Sequence, residues 1–321
     1  MSKLTTTKDV FKITLPTPFA VGDVNVYIVK GDSLTLIDAG AKTEEAWHSF
    51  NEQLAVLGYK PSDIEQILIT HHHPDHVGLL DYFSKEIPII GHPKNQPWIS
   101  QDKQFFEDNE PFYKELFIQL GLDPAFVALI DMDEELEYSC RRSLTTMVQD
   151  GDFIDGMPGF KVLETPGHAQ SHIVLYREED GMLIAGDTLL AKISPNPLLE
   201  PPQFGEIARP RPLIQYNNSL KRLLTLDISK VVTGHGDDIL NPHELIKERF
   251  VSQKERAYYV LQMIKENPMT AFEVCTKLFP KVYLKQPLFT VSETVGQLDF
   301  LEEIGEIKIE VVNGQHIYHA N

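Results

Sequence analysis

Between residues 10 and 40 the apolar positions fall in short β-branched runs, "FKITLP", "VNVYIVK" and "SLTLIDAG", punctuated by Pro, Gly and Asp. This pattern predicts three strands. The pattern then changes to a helix over "TEEAWHSFNEQLAVLG", with Thr43 as cap and Gly58 past the end. "IEQILITH" predicts a strand that runs straight into "THHHPDHVGLL"; "VGLLDYFSK" predicts a short helix and "IPIIGH" a further strand. Strands alternating with helices predict a layered α/β architecture.

Residues 96–137 break that alternation. Tyr113, Leu116, Phe117 and Leu120 fall at i, i+3, i+4, i+7, which gives one apolar helical face. The segment carries eleven acids, Asp131, Asp133, Glu134 and Glu135 among them, against two lysines. It reads either as a surface helical pair with a buried stripe or as a lid whose aromatics line a substrate channel. Strand character returns in "LTTMVQDGDFI", "FKVLETPGH" and "HIVLYREEDGMLIAGD", where Glu178 to Gly181 form a hairpin turn. A loop with six prolines follows over 194–213, then a helix in "IQYNNSLKRLLTL" and a strand in "SKVVTGHG".

From residue 241 the chain reads as a second unit. Asn241-Pro242 starts a helix that Asn267-Pro268 stops, and Thr270…Glu273 and Thr290…Glu293 are capping-box spacings that each open a further helix. "IKIEVVNGQHIYHA" alternates around Asn313-Gly314, a strong hairpin signal. Three helices and a hairpin resemble a winged helix. The expected division is residues 1–240 and 241–321.

Charge narrows the partners. The chain of 321 residues has a formal net charge of −18, which disfavours a sequence-blind grip on nucleic acid. The third tail helix and its hairpin are also acidic, so the tail is expected to pack or to dimerise and not to bind DNA. There is no apolar stretch of signal-peptide or membrane-span length. Cys140 and Cys275 are far apart and read as packing residues, consistent with a reducing cytoplasm.

The candidate chemistry lies where predicted strands end beside small residues: His71, His73, Asp75 and His76, then His168 in "TPGHAQSH", Asp187 in "IAGDTLL" and His235 in "TGHG". Loops at one sheet edge can bring such residues together. Imidazole with carboxylate and no thiolate suits zinc, iron or manganese. Seven ligands are too many for one tetrahedral ion and suit two divalent metals sharing a carboxylate. A water between two cations loses a proton near neutral pH and becomes a nucleophile.

"THHHPDH" matches the His-x-His-x-Asp-His signature, and the chain from about 10 to 240 resembles the metallo-β-lactamase superfamily. The resemblance implies an αββα sandwich with a dinuclear site at one edge. It implies His71, His73 and His168 as one ligand set, Asp75, His76 and His235 as the other, and Asp187 as the bridge. Asp38 in "LIDAG" resembles a supporting carboxylate that orients a ligand. His72 is the variable position inside the motif, and His172 reads as support. Zinc is the first expectation for the metals.

The departures narrow the reaction. The commonest β-lactamases of this superfamily use a Cys where Asp187 stands, and hydroxyacylglutathione hydrolases place their last histidine in "CGHE" before a basic tail. Here it is "TGHGDD" and the tail is not basic. The chain is most similar to the lactamase-β-2-like or hydroxyacylglutathione-hydrolase-like branch, whose members carry a winged-helix-like tail and include endoribonucleases. The expected function is a dinuclear metal-dependent hydrolase that cleaves an ester, thioester or lactone of a small molecule with a metal-bridging hydroxide. Phosphodiester or single-stranded RNA cleavage is the alternative. Asp75 is a candidate proton acceptor, Tyr216 a candidate donor to the oxyanion, and Arg209 and Arg211 candidate clamps for an anionic group.

Overall fold

A computed structural model describes residues 6–7, 9–128, 130, 136–203, 205–206 and 208–321. Residues 1–5 of the N-terminal stretch and Asp131, Asp133, Glu134 and Glu135 of the acidic segment lie outside them. The first sheet runs in order β1 (Thr6–Thr7), β2 (Val10–Leu15), β3 (Val24–Lys30), β4 (Leu34–Ile37), β5 (Gln66–Leu68), β6 (Ile89–Gly91) and β7 (Thr146–Met147). Its first four strands pair antiparallel and its last four parallel. The second sheet combines β8 (Phe160–Glu164), β9 (Ile173–Arg177), β10 (Met182–Ile184) and β11 (Lys230–Val232).

Helix α1 (Glu44–Val56) joins β4 to β5, and α2 (Pro74–Val77) follows β5. Helices α3 (Gln96–Ile99), α4 (Lys103–Gln119) and α5 (Pro124–Val127) interrupt the passage from β6 to β7. Helix α6 (Pro212–Leu223) leads into β11, and α7 (Pro242–Glu266), α8 (Ala271–Leu278), α9 (Pro287–Glu303) and the hairpin β12 (Ile307–Val312) and β13 (Gln315–Ala320) close the chain.

Alternation along the strands sorts side chains into layers, because successive residues point to opposite faces. In β3, Val24, Val26 and Ile28 face the layer holding Phe50 and Leu54 of α1, while Tyr27 and Val29 face the second sheet. In β9, Ile173 and Leu175 face the first sheet, while Val174 and Tyr176 face Leu213, Leu220 and Leu223 of α6. The order is helix, sheet, sheet, helix: the layered α/β architecture that the pattern predicts, in the αββα form that the family resemblance implies. Among the described residues no helix is long and apolar enough to cross a membrane.

Local signals hold in most places. Thr43 caps α1 by accepting from the Ala46 N–H, and the Thr270 capping box is complete. Asn313 and Gly314 both take the left-handed conformation that the hairpin turn requires, at φ 52° and 83°. Three expectations change. The helix over 77–85 is a single α turn followed by a 3₁₀ turn at Gly78–Tyr82. The strand after residue 143 shortens to two residues, because Gln149 and Asp152 turn back on each other. The Thr290 capping box does not open its helix: Pro287 starts α9 one turn earlier, and the Thr290 hydroxyl donates to the Gln286 carbonyl.

The inserted segment is part scaffold. Leu116, Leu120, Leu122 and Phe126 are buried in one cluster with Val260, Leu261, Val295 and Leu298 of the C-terminal helices. Its near end turns the other way: Trp98, with Phe105 and Phe106 packed edge-on, stacks on His72 at 4.5 Å.

Candidate metal centre

The site gathers at strand ends. His71 to His76 follow β5, His168 follows β8, Asp187 follows β10 and His235 follows β11, with Asp38 immediately after β4. Backbone bonds tie these ends together: Ile173 donates to the Thr70 carbonyl (3.0 Å), Gly234 to Gly186 (2.7 Å) and Asn25 to Gly234 (2.6 Å). Gly167, at φ 143°, lets the His168 loop cross α6, since a Cβ there would lie 2.5 Å from the Tyr216 Cα.

Three groups of ligand atoms converge, each with its members within 4.8 Å of one another: His71, His73 and His168; His71, His76 and Asp187; Asp75, His76 and His235. Asp187 reaches both sides, with Oδ2 3.6 Å from His168 Nε2 and 3.4 Å from His235 Nε2, and Oδ1 3.5 Å from His76 Nε2. Asp75 Oδ2 lies 3.2 Å from His235 Nε2. All seven residues read from the sequence as candidate ligands thus meet at one place.

The outer nitrogens explain why these rings point inward. Thr70 Oγ1 donates to Asp38 Oδ2 (2.8 Å), so it accepts from His71 Nδ1 (3.0 Å). His76 Nδ1 donates to Asp38 Oδ2 (2.8 Å), His168 Nδ1 to the Asn196 carbonyl (2.9 Å) and His235 Nδ1 to the Asp23 carbonyl (2.8 Å). Each bond fixes the proton on Nδ1 and turns the Nε2 lone pair to the centre. The Nε2 atoms of His71, His76, His168 and His235 and Oδ1 of Asp187 are buried without a hydrogen-bond partner. Buried polar atoms are rarely left so, because desolvation costs about 1–3 kcal/mol each. Several such atoms aimed at one point form a donor set that suits a divalent cation.

The charges agree. Burial, then neighbouring histidines, hold His71 and His73 well below the usual imidazole range, in the neutral form a metal needs. Burial raises the Asp187 carboxyl, but His235 and His76 outweigh it and hold it well below the carboxylate range. Burial lowers His235, yet Asp187 and Asp75 push it up to about 10, so with the carboxylates alone for neighbours this ring keeps a second proton, which a cation would have to displace.

His172 and His72 stand outside the cluster. His172 Nε2 accepts from the Asp187 backbone N–H (3.1 Å) and its Nδ1 bonds the Thr165 and Thr188 hydroxyls, so it fixes the turn that carries Asp187. His72 bonds Ser171 and stacks on Trp98. Thr70 and Asn196 were not singled out by sequence reasoning. Thr70 directly precedes the histidine run and was open to being noticed; Asn196 acts through its backbone carbonyl, which no residue type announces.

Two expectations about substrate contacts fall. Tyr216 is fully buried and its hydroxyl donates to the Thr188 carbonyl (3.0 Å), so its one proton is engaged in the core. Arg209 forks onto Asp299 (2.6 and 2.9 Å), and Arg211 pairs with Glu302 and Glu303 (2.9 Å each), so both are committed to α9. The two cysteines are free and buried, as read.

A family model described as the metallo-beta-lactamase superfamily matches residues 20–235. "Probable metallo-hydrolase YqjP" of Bacillus subtilis (strain 168) is 50% identical over 92% of this chain and 93% of its own length. "Beta-lactamase-like protein 2 homolog" of Caenorhabditis elegans is 25% identical over 82% of this chain and 73% of its own. The crystal structure of metallo-beta-lactamase family protein TTHA1429 from Thermus thermophilus superposes with a TM-score of 0.81 at 28% identity, covering 98% of this chain and 99% of that one. The convergent donor set and these relatives together make the chain a metal-dependent hydrolase that belongs to the metallo-β-lactamase superfamily.

Proposed function

We propose that the centre holds two divalent cations, zinc first among them, and hydrolyses an ester, thioester or lactone. The observation that carries the dinuclear reading is the pair of donor sets, His71/His73/His168 and Asp75/His76/His235, with Asp187 within 3.6 Å of a nitrogen in each. Cations bound there would acidify a water and polarise the substrate oxygen. The chain's own residues do the rest. Asp38, Thr70 and the Asn196 and Asp23 carbonyls hold the ring tautomers, and His172 holds the Asp187 turn. Asp75, held ionised by His76 and His235 against the opposing effect of burial, is the residue we assign to take a proton from the attacking water.

An acyl substrate is favoured over a polyanion. His72, between His71 and His73 in the chain, is stacked on Trp98, which Phe105 and Phe106 flank, so the ground beside the site is aromatic. Arg209 and Arg211, the cations of the segment 194–211 that borders His168, are already neutralised by carboxylates. The test is metal content by mass spectrometry on wild type, His71→Ala, Asp187→Ala and Asp75→Asn, then a panel of aryl ester, thioester, lactone, bis-aryl phosphodiester and single-stranded RNA. Two ions per wild-type chain, fewer in the two alanine variants, and turnover of one acyl class are expected. Asp75→Asn should lose rate beyond any loss of metal. One ion or none in a metal-replete wild type sinks the dinuclear reading, and turnover confined to RNA or the phosphodiester replaces the acyl one.

A further inference from the structure

We propose that the C-terminal helix α9 sets the position of His168, through Asn196, and so tunes the affinity of the His71/His73/His168 set alone. The inference rests on the dinuclear reading above. His168 lies in an irregular loop between β8 and β9, and residues 196–200 grip that loop at three points. The Asn196 carbonyl accepts from His168 Nδ1 (2.9 Å), the Leu198 N–H donates to the His168 carbonyl (3.4 Å), and Glu200 Oε1 accepts from the Gln170 N–H (2.8 Å).

The gripping segment has no regular structure of its own. Asn196 lies between Pro195 and Pro197, which have no N–H to donate, so its anchorage must come from elsewhere. It comes from α9. Asn196 Nδ2 donates to the Phe289 carbonyl (2.7 Å), and the Leu199 N–H donates to Oγ of the fully buried Ser292 (3.2 Å). Further along, Arg209 and Arg211 clamp the segment to Asp299, Glu302 and Glu303 of the same helix.

The other rings are held differently. His71 is held by Thr70, its neighbour in the chain; His76 by Asp38, at the end of β4; His235 by the Asp23 carbonyl, just before β3. Each of these partners belongs to the first sheet or its loops. Of these four rings, His168 alone is oriented by a segment fastened to the C-terminal helix. Disturbing that fastening should therefore weaken one donor set and spare the other, an asymmetry that a general loss of stability would not produce.

The experiment compares Asn196→Ala, Ser292→Ala and, as control, Arg256→Ala, which removes an exposed ion pair with Glu293 on the same helix (3.0 Å). Each full-length protein is stripped of metal and titrated with Zn²⁺ against a chromophoric chelator, with Co²⁺ spectra and the unfolding midpoint of the metal-free form alongside. Loss of a partner that orients a ligand weakens metal binding by roughly 10–100-fold. Asn196→Ala is expected to show that loss in one binding step only, Ser292→Ala a smaller one in the same step, and Arg256→Ala none. Ser292→Ala removes a single oxygen and keeps the test readable if Asn196→Ala does not fold. Two wild-type steps that are unchanged in both variants overturn the inference alone, as do two steps that fall together with the midpoint. A wild type that takes up one ion or none sinks the dinuclear reading and this inference with it.

Discussion

Asp38 shows how much of the site depends on one side chain that need not touch a metal. Its carboxylate accepts from the Thr70 N–H (2.7 Å), the Thr70 hydroxyl (2.8 Å) and His76 Nδ1 (2.8 Å), and its backbone sits in the left-handed region at φ 59°. Asn tolerates that backbone well, whereas most residues do not. Asp38→Asn is therefore expected to fold with a near-normal melting temperature while losing the charged acceptor. Zinc affinity measured by chelator competition should fall roughly 10–100-fold, the range for such supporting partners. An unchanged affinity would show that Asp38 only braces the loop. At this scale the convergence of the candidate ligands was legible from the sequence because each follows a strand and the spacing of 71–76 is specific. Tyr216, Arg209 and Arg211 were misread because residue type does not give direction. The hydroxyl meets the Thr188 carbonyl and the guanidinium groups meet carboxylates some 90 residues later.

Some elements with a local cause were legible, while one shaped from a distance was not. The Thr270 box and the Asn313-Gly314 turn need only neighbours, and both form. The segment 194–211 is shaped by helix α9, which no local pattern in the segment reveals. It also carries a buried acid. Glu200 is 4% exposed, and burial pushes its carboxyl up to about 8, against the downward pull of the Gln170 N–H and Lys94. In the unfolded chain the same group titrates near 4.5. Between those values the unfolded state gives up a proton that the folded state keeps. The contribution to stability is full below about 4.5 and is lost as pH rises through about 8. Each unit of that window corresponds to about 1.4 kcal/mol. Urea melts at pH 5, 6.5 and 8 should show wild type weakening with pH, and Glu200→Gln, which has no such proton, weakening less. Parallel slopes would mean that the folded state holds Glu200 ionised.

At the scale of the whole molecule, the boundary expected at residue 240 does not divide the apolar core. Leu116, Leu120, Leu122, Phe126 and Leu199 precede it, yet they are buried with Val260, Leu261, Val291, Val295 and Leu298, which follow it. Helix α4 carries its acids outward and spends its apolar face on the C-terminal helices, which is why periodicity revealed the stripe but not its partner. Uncovering five large apolar side chains forgoes roughly 1.5–3 kcal/mol each. The sum, of order 10 kcal/mol, matches the total stability of a typical domain. A chain ended after residue 240 is therefore expected to aggregate or to lose the order of α4 and of the Leu199 segment, which also carries Asn196 and its bond to His168. Calorimetry of the full chain should correspondingly give one cooperative transition in place of two. A soluble 1–240 fragment that melts cooperatively and binds metal like the full chain would show that the sandwich is self-sufficient, and that the shared core adds stability without being required for the site.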